Sequence, residues 1–317
     1  MPTTSRALFA ELIDYAGIFP PAALPLEEAF GRFLSHRRSD SGWLLANFVC
    51  PASRLSELAH LMETTDIGQT PIRIAALGAG GDDPPAFASS IERDAEAMKE
   101  FSKRLEERAR IDLFEVKLPA RCDPAEVTDL CFHHLVDVAE HPPRASFEIP
   151  LLGTVPDPIV AATAIAGASH EIDPTRHAGL KIRCGGLDAA AVPSVDAVAA
   201  AIVAAVTTGL SIKATQGLHH PLRGEDPALG TTTHGFFNLL AAVTLAYEHF
   251  LDRDTVCAIV SEEDPETFRL DDAGLHWRDL TADFSSIIEG RMAAFTSFGS
   301  CSFSEPRDDL ADLGWLS

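Results

Sequence analysis

Short apolar runs rich in β-branched and aromatic residues alternate along this chain with longer stretches whose apolar positions recur every three or four residues. The first pattern predicts buried strands and the second predicts amphipathic helices. Seven strands and a weaker eighth are predicted, at residues 43–50, 72–78, 111–118, 145–151, 179–184, 210–215, 255–261 and 275–280. Helices are predicted at residues 5–15, 26–35, 53–64, 85–110, 124–140, 156–168, 194–208, 234–250 and 282–298.

Strands that alternate with helices are typical of βα units around a parallel sheet. Seven or eight such units favour a closed (β/α)8 TIM-type barrel, an α/β fold, over an open doubly wound sheet. We therefore predict a barrel over residues 41–300, an N-terminal helical extension over 1–40 that packs on it, and a tail over 301–317. Residues 268–277 predict a hairpin at or beside the last barrel position.

The composition of the chain narrows the partners and the location that can be expected for the protein. A formal net charge of −22 and a pI near 4.8 argue against partners that need clustered cations, so neither nucleic acid nor an anionic membrane is expected. The longest apolar region, residues 189–206, is interrupted by polar residues and is expected to be a helix on the sheet. Six scattered cysteines and the lack of a secretory signal lead us to expect a cytoplasmic protein.

Lysine is rare here, and its placement is unusual. The chain has only five lysines beside 20 arginines, yet Lys117, Lys181 and Lys213 lie in or at the end of predicted strands. A buried lysine is costly unless it is paired. An amine can lose its proton and attack a carbonyl carbon, which a guanidinium cannot do. The pattern therefore points to amine chemistry.

Four consecutive predicted strands carry charged residues towards their C-terminal ends, where barrel enzymes bind their substrates. Alternation places Glu115 with Lys117, Lys181 with Arg183, and Lys213 with Thr215 on the same strand faces, and Glu148 adds a fourth strand. A buried network that only fills the barrel is the structural alternative. Such networks are weak devices for stability, so a functional site is favoured.

Two loops add candidates. His219, His220 and Arg223 follow the Lys213 strand, and His234 and Asn238 lie at the start of the next helix. Histidines can serve as acids, bases or metal ligands, and an arginine can bind a carboxylate or phosphate. Gly185 and Gly186 follow the Lys181 strand, where backbone N–H groups could hold an anion or simply form a tight turn.

The segment from Ile212 to Gly217, Ile-Lys-Ala-Thr-Gln-Gly, resembles the Lys-Thr-Ser-Thr-Gly strand of the deoxyribose-phosphate aldolase family. Lys181 to Gly186, Lys-Ile-Arg-Cys-Gly-Gly, resembles that family's second lysine strand, Lys-Ala-Ser-Gly-Gly, with one extra residue and in the opposite order along the chain. The resemblance implies a class I aldolase type of barrel in which Lys213 forms a Schiff base.

The leading prediction is a lyase, aldolase or isomerase that acts on a small anionic, carbonyl-bearing metabolite and needs no cofactor. Lys213 is expected to be the nucleophile or general base, activated by burial and by the nearby charges of Lys181 and Arg183, which lower the pKa of an amine. The predicted catalytic residues are Lys213, Lys181, Glu115, Glu148, His219 and His220. The predicted substrate-binding residues are Lys117, Arg183, Arg223, Gly185, Gly186, Thr215, His234 and Asn238.

Two alternatives stay open at this point. One is a barrel isomerase or hydrolase that depends on a divalent metal held by Glu115, Glu148, His219 and His234. The other is a barrel that binds a metabolite without turning it over. Assembly into a homo-oligomer is compatible with all three.

Overall fold

The computed structural model describes residues 3–153, 157–172 and 178–316. A closed barrel of eight parallel strands lies at its centre, which confirms the predicted (β/α)8 TIM-type fold. The barrel strands are β1 (Ile13–Tyr15), β2 (Leu45–Pro51), β3 (Ile72–Leu77), β4 (Ala109–Lys117), β5 (Arg144–Glu148), β6 (Gly179–Arg183), β7 (Ser211–Thr215) and β13 (Phe295–Ser300). They pair in this order, and β13 pairs with β1 to close the barrel.

Two small antiparallel sheets lie outside the barrel. Strands β8 (Gly224–Asp226) and β9 (Thr231–Thr233) form one, in the loop region that follows β7. Strands β10 (Phe268–Asp271), β11 (Gly274–Trp277) and β12 (Leu280–Ala282) form the other. The predicted hairpin is thus confirmed as β10–β11.

Eleven α-helices lie in the described residues, most of them around the barrel. They are α1 (Thr3–Phe9), α2 (Leu26–Arg37), α3 (Leu55–Thr64), α4 (Pro84–Leu105), α5 (Pro124–Leu135), α6 (Pro158–Ile172), α7 (Val195–Thr208), α8 (Phe236–His249), α9 (Arg253–Val260), α10 (Phe284–Ala293) and α11 (Ser304–Asp312). Side-chain caps fix several starts: Asp83 accepts the N–H of Ala86, and Ser194 that of Ala197. The left-handed Gly209 ends α7.

One predicted strand is wrong, and another lies outside the barrel. Residues 253–260 form α9, because the Asp252 carboxylate accepts the N–H of Thr255 and starts a helix in which Val256, Ile259 and Val260 face the core. Residues 274–277 form β11 of the outer sheet and do not enter the barrel.

Two barrel strands replace them. The predicted first helix ends at Phe9 and is followed by β1, and the predicted helix over 282–298 ends at Ala293 and is followed by β13. The segment 1–40 therefore supplies a barrel strand as well as helices. Lys181 and Lys213 were predicted on the fifth and sixth strands. Because β1 precedes the first predicted strand, they lie on the sixth and seventh barrel strands. The predicted start of the sixth helix at residue 156 lies outside the described residues.

By length and composition, residues Ala189–Thr208 could cross a membrane, contrary to the expectation from the sequence. In the structure this stretch forms a 3₁₀ turn followed by α7. Helix α7 contacts β6, β7 and the neighbouring helix α6, and buries Val198, Ala201 and Ile202. It therefore occupies the position of a barrel helix between two parallel strands.

Candidate functional site

A cavity of about 600 Å³ lies at the C-terminal ends of the barrel strands. Its size is ordinary for the binding site of a small molecule. Ten of the 14 predicted site residues line it: Glu115, Lys117, Glu148, Lys181, Arg183, Gly185, Gly186, Lys213, Thr215 and His219.

The four strands that carry the charged residues are consecutive neighbours in the barrel, β4 to β7. In the strand register, Lys117 lies beside Glu148, Glu148 beside Lys181, and Lys181 beside Lys213. The prediction that these side chains converge on one cavity is confirmed. Parallel pairing at a spacing of about 4.8 Å per strand is what brings residues so distant in sequence together.

Glu115 is the centre of a buried ionic cluster. Its Oε1 lies 2.5 Å from Lys213 Nζ, and its Oε2 lies 3.0 Å from Lys181 Nζ. Lys181 Nζ is also 3.2 Å from Glu148 Oε2, and Arg183 Nη2 is 3.2 Å from Glu148 Oε1. Cations and carboxylates therefore alternate from the barrel interior to its rim.

Asp14 on β1 lies at the inner end of this cluster and was missed by the sequence analysis. Its Oδ2 contacts Lys213 Nζ and accepts a hydrogen bond from Ser297 Oγ at 2.7 Å. Its Oδ1 accepts from the backbone N–H and the side-chain amide of Asn47, at 2.9 and 2.7 Å. Asp14 is fully buried, so its charge depends on these partners.

The cluster fixes the charge of its two innermost members. Burial opposes the charged form of Glu115, but Lys213 and Lys181 outweigh it and lower the pKa to about 2. Burial also opposes the charged form of Lys213, yet Asp14 and Glu115 outweigh it and raise the pKa. Lys213 is therefore held as an ammonium and Glu115 as a carboxylate at neutral pH.

This finding corrects the expected activation of Lys213. The sequence analysis expected neighbouring cations to lower its pKa, but two carboxylates contact its Nζ and act in the opposite direction. One of these carboxylates, Asp14, lay within a predicted helix and was not a candidate. A charge on a strand not assigned to the barrel could not enter the prediction.

Glycines bring two loops together at the rim. A Cβ on Gly185, after β6, would lie 2.8 Å from the Cα of Gly217, after β7, so the two backbones touch. Gly217 also has a positive φ of 67°, and its neighbour Gln216 has a φ of 59°. Gln216 Oε1 accepts from Arg183 Nη1 at 3.0 Å, which helps to orient the guanidinium.

Four predicted site residues do not line the cavity, namely His220, Arg223, His234 and Asn238. Asn238 is fully buried, where its amide donates to the carbonyl oxygens of Ile259 and Glu262 and its Oδ1 accepts the N–H of Arg223. It holds loops together and is not part of the cavity lining.

The two remaining histidines are also engaged elsewhere. His234 is buried beside the carbonyl oxygen of Pro193, 2.8 Å from its Nε2, and burial lowers its pKa. His220 is exposed and lies 2.7 Å from Asp309 of α11. His219 lies on the cavity wall, with its Nδ1 3.2 Å from Glu305 at the start of the same helix.

The predicted metal ligands do not form a ligand set. Glu115 and Glu148 are paired with lysine or arginine, His219 is paired with Glu305, and His234 is buried against Pro193. Across residues 3–153, 157–172 and 178–316, no group of three or more His, Cys, Asp or Glu side chains is arranged to hold a metal ion.

The other side of the cavity is apolar. Phe19 and Pro21, in the loop after β1, line it together with Val49 of β2 and Leu77 of β3. Val49 also packs within the barrel against Ala75 and Leu113, and Ala16 and Phe19 cover this small cluster. None of these residues was predicted as a site residue. Phe19 lies between the two predicted N-terminal helices, at 5–15 and 26–35, in a segment that was expected only to join them.

Comparisons with known proteins add a structural resemblance. No family model and no curated protein matches the chain. Among solved structures, it resembles the deoxyribose phosphate aldolase of Aeropyrum pernix, which is described as a unique tetramer. The identity is 14%, the match covers 68% of this chain and 80% of that chain, and the TM-score is 0.43. This neighbour belongs to the family whose lysine strands the segments around Lys213 and Lys181 resemble.

Proposed function

We propose that this chain is a barrel enzyme, a lyase of the aldolase type or an isomerase, that acts on a small anionic carbonyl compound through an active-site lysine. The observation that carries the proposal is the buried alternation of lysines and glutamates at the floor of the cavity. Replacing a buried ionic cluster by apolar residues is often neutral or stabilising, so such a cluster is better explained by chemistry than by stability.

Lys181 is the proposed nucleophile. Lys213 is held as an ammonium by Asp14 and Glu115, and its side chain is only 1% exposed. Lys181 also lines the cavity, its side chain is 6% exposed, and its two carboxylate contacts are longer, at 3.0 and 3.2 Å. Of these two buried amines, that of Lys181 is therefore the more accessible to a substrate, and Lys213 supplies a fixed positive charge beside it.

Glu148 is the proposed proton carrier. It lies 3.2 Å from Lys181 Nζ and can accept the proton that this ammonium must lose before it attacks. Glu115 is less suited to this role, because a carboxylate with a pKa of about 2 stays ionised at neutral pH and is a weak base. We therefore assign Glu115 the role of holding the two lysines in place.

The chemistry follows in balanced steps. The uncharged Lys181 nitrogen bonds to the carbonyl carbon, and the carbonyl π pair moves to oxygen. Beside the positive charge of Lys213, this oxygen takes up from Glu148 the proton that Lys181 lost. The nitrogen loses a proton, and the oxygen takes up another and leaves as water. The resulting protonated imine accepts the electron pair of an adjacent C–C or C–H bond. Glu148 takes the proton that this cleavage releases.

The anionic end of the substrate is assigned to Arg183 and Lys117. Both line the cavity near its rim, and both are partly or largely exposed to it. Among the residues that the structure describes, four cationic side chains and two carboxylates, those of Glu115 and Glu148, line the cavity, in a protein whose formal net charge is −22. A local excess of cations in an acidic protein favours an anionic ligand.

Borohydride trapping tests the proposal. The wild-type protein, incubated with candidate aldehydes and oxo acids and then reduced, should gain the mass of the reduced adduct on the peptide that contains Lys181. Lys181→Arg should abolish the adduct and remain folded in thermal unfolding, since it keeps the positive charge. Lys213→Arg should slow trapping while the adduct stays on Lys181.

The outcomes separate the roles. An adduct on Lys213 would reverse the assignment of the two lysines. Full trapping in Lys181→Arg would remove Lys181 as the site of the Schiff base. No adduct with any carbonyl compound in the panel would remove the Schiff base itself. In that case a barrel that binds its ligand without covalent chemistry would become the better hypothesis.

A further inference from the structure

The two sides of the cavity differ in chemistry, and this difference limits the substrate. Strands β4 to β7 contribute charged side chains, whereas β2, β3 and the loop after β1 contribute Phe19, Pro21, Val49 and Leu77. Strands β1 to β3 are consecutive, as are β4 to β7, so the two sets occupy separate arcs of the barrel mouth. We name Phe19, Pro21, Val49 and Leu77 the apolar wall. We name the charged side chains of β4 to β7 the charged wall.

We propose that the substrate is an oxo acid that carries an alkyl or aryl substituent, and that the apolar wall binds this substituent. The inference rests on the proposed function for the position of the carbonyl group at Lys181. It specifies the chemistry of the part of the substrate that the charged wall does not contact.

The position of the anionic group follows from the strand geometry. Arg183 lies two residues beyond Lys181 on β6, on the same face of the strand, and each strand residue advances about 3.3 Å. A carboxylate bound by Arg183 is therefore close to a carbonyl carbon at Lys181. This spacing fits a 2-oxo or 3-oxo acid, in which one or two bonds separate the carboxylate carbon from the carbonyl carbon.

The character of the opposite side follows from the apolar wall. Val49 belongs to a cluster with Ala75 and Leu113 inside the barrel, so the wall is backed by further apolar side chains. A hydroxyl group of a sugar placed against this wall would lose its water without gaining a side-chain partner, which costs affinity. A hydrocarbon group in the same place would gain affinity from each carbon that leaves water.

Calorimetric titration of the full-length protein with straight-chain 2-oxo acids tests the inference. The series runs from 2-oxobutanoate to 2-oxooctanoate, with 2-oxogluconate as a hydroxylated acid. We expect the Kd to fall about fourfold for each added CH₂ until the wall is covered. We also expect 2-oxogluconate to bind more weakly than 2-oxohexanoate.

Two variants connect this dependence to the wall. Val49→Thr places a hydroxyl there at nearly constant shape and should flatten the dependence on chain length while the Kd of 2-oxobutanoate stays within about twofold. Phe19→Ala changes a loop outside the barrel strands and should also flatten the dependence on chain length. It replaces Val49→Thr in the test if Val49→Thr does not fold. Val160→Thr, on the exposed side of α6, is the matched control and should leave the dependence unchanged.

Each outcome decides between the hypotheses. A Kd that is independent of chain length, tighter binding of 2-oxogluconate, or an unchanged dependence in both wall variants would overturn the inference. A chain-length dependence without any borohydride adduct would uphold the apolar wall and remove the proposed Schiff base. An adduct without a chain-length dependence would uphold the proposed Schiff base and remove the apolar wall as a binding site.

Discussion

The residues behind the apolar wall and those at the inner end of the charged wall are buried to a similar degree, yet different interactions stabilise them. Ala75 behind the apolar wall is fully buried, and Glu115 and Lys213 on the charged wall are each 1% exposed. Apolar side chains need only close packing in such a place, whereas a charge needs partners of the opposite sign. Burial alone therefore says little about a residue's role, and the partners say more.

Asp14 connects the two sides. It comes from β1, next to the strands of the apolar wall, but its carboxylate contacts Lys213 of the charged wall. Without Asp14, the inner lysine would share Glu115 with Lys181 and have no carboxylate of its own. Strand β1 has only three residues, yet it supplies the innermost counterion, the carboxylate that pairs with Lys213.

The largest effect is expected where the two sides meet. Asp14→Asn keeps the shape but removes the charge, so Lys213 is left with Glu115 alone. Breaking a buried ion pair in this way should lower the free energy of unfolding by about 3–5 kcal/mol. Urea unfolding at pH 7 measures this change.

The matched control is Ser297→Ala, which removes one hydrogen bond to the same Asp14 oxygen and should cost about 1 kcal/mol. If Asp14→Asn cost no more than this control, the charge on Asp14 would not matter for stability.

A smaller effect is expected from pH acting on the charged wall. The pKa of Glu115 is about 2 in the folded protein and near 4.5 in the unfolded chain. Its contribution to stability is therefore fully present above pH 4.5 and is lost as the pH falls towards 2. The stability difference between wild type and Glu115→Gln should shrink by about 3 kcal/mol over this range, as measured by unfolding at each pH.

Glu57→Gln serves as the control for that titration. Arg54 lowers the pKa of Glu57 as well, but the Glu57 side chain is 54% exposed, so water screens the pair. A pH dependence as large for this exposed pair as for Glu115 would refute the claim that burial sets the size of the effect.

The smallest effect is expected outside both walls. His220 does not line the cavity, and its exposed side chain pairs with Asp309. His220→Asn should therefore leave the rate of borohydride trapping within about twofold of wild type, with an unchanged Tm. His219→Asn, one residue earlier and on the cavity wall, provides the comparison. A tenfold loss in His220→Asn would show that α11 or this loop takes part in the reaction.

Six of the eight barrel strands could be predicted because each is a run of apolar residues bounded by turn or helix signals. Strand β1 has only three residues and a central Asp14, and β13 reads Phe-Thr-Ser-Phe-Gly-Ser with no aliphatic residue. Neither strand is an apolar run, because these two strands form through pairing with their neighbours in the barrel. Conversely, the β-branched run in α9 became helical through the cap at Asp252.

The candidate site was predicted on one side only. Lysines and glutamates are conspicuous in apolar strands, so the charged wall could be inferred from residue types. Phe19, Val49 and Leu77 look like ordinary core residues, and only the structure places them at the cavity. Charge signs could be read from the sequence as well, but the raised pKa of Lys213 required the position of Asp14.

The contacts of Asp14 also bear on the order in which the protein is made. Lys213 is 199 residues from Asp14 in sequence, and Ser297 is 283 residues away. During synthesis from the N-terminus, Asp14 emerges early, its partner on β7 emerges much later, and its partner on β13 emerges later still. The inner ion pair therefore cannot form until β7 has left the ribosome, and the hydrogen bond from Ser297 cannot form until β13 has. A nascent chain stalled before β7 would carry an unpaired aspartate, and the finished cluster marks the moment at which the ring of strands closes.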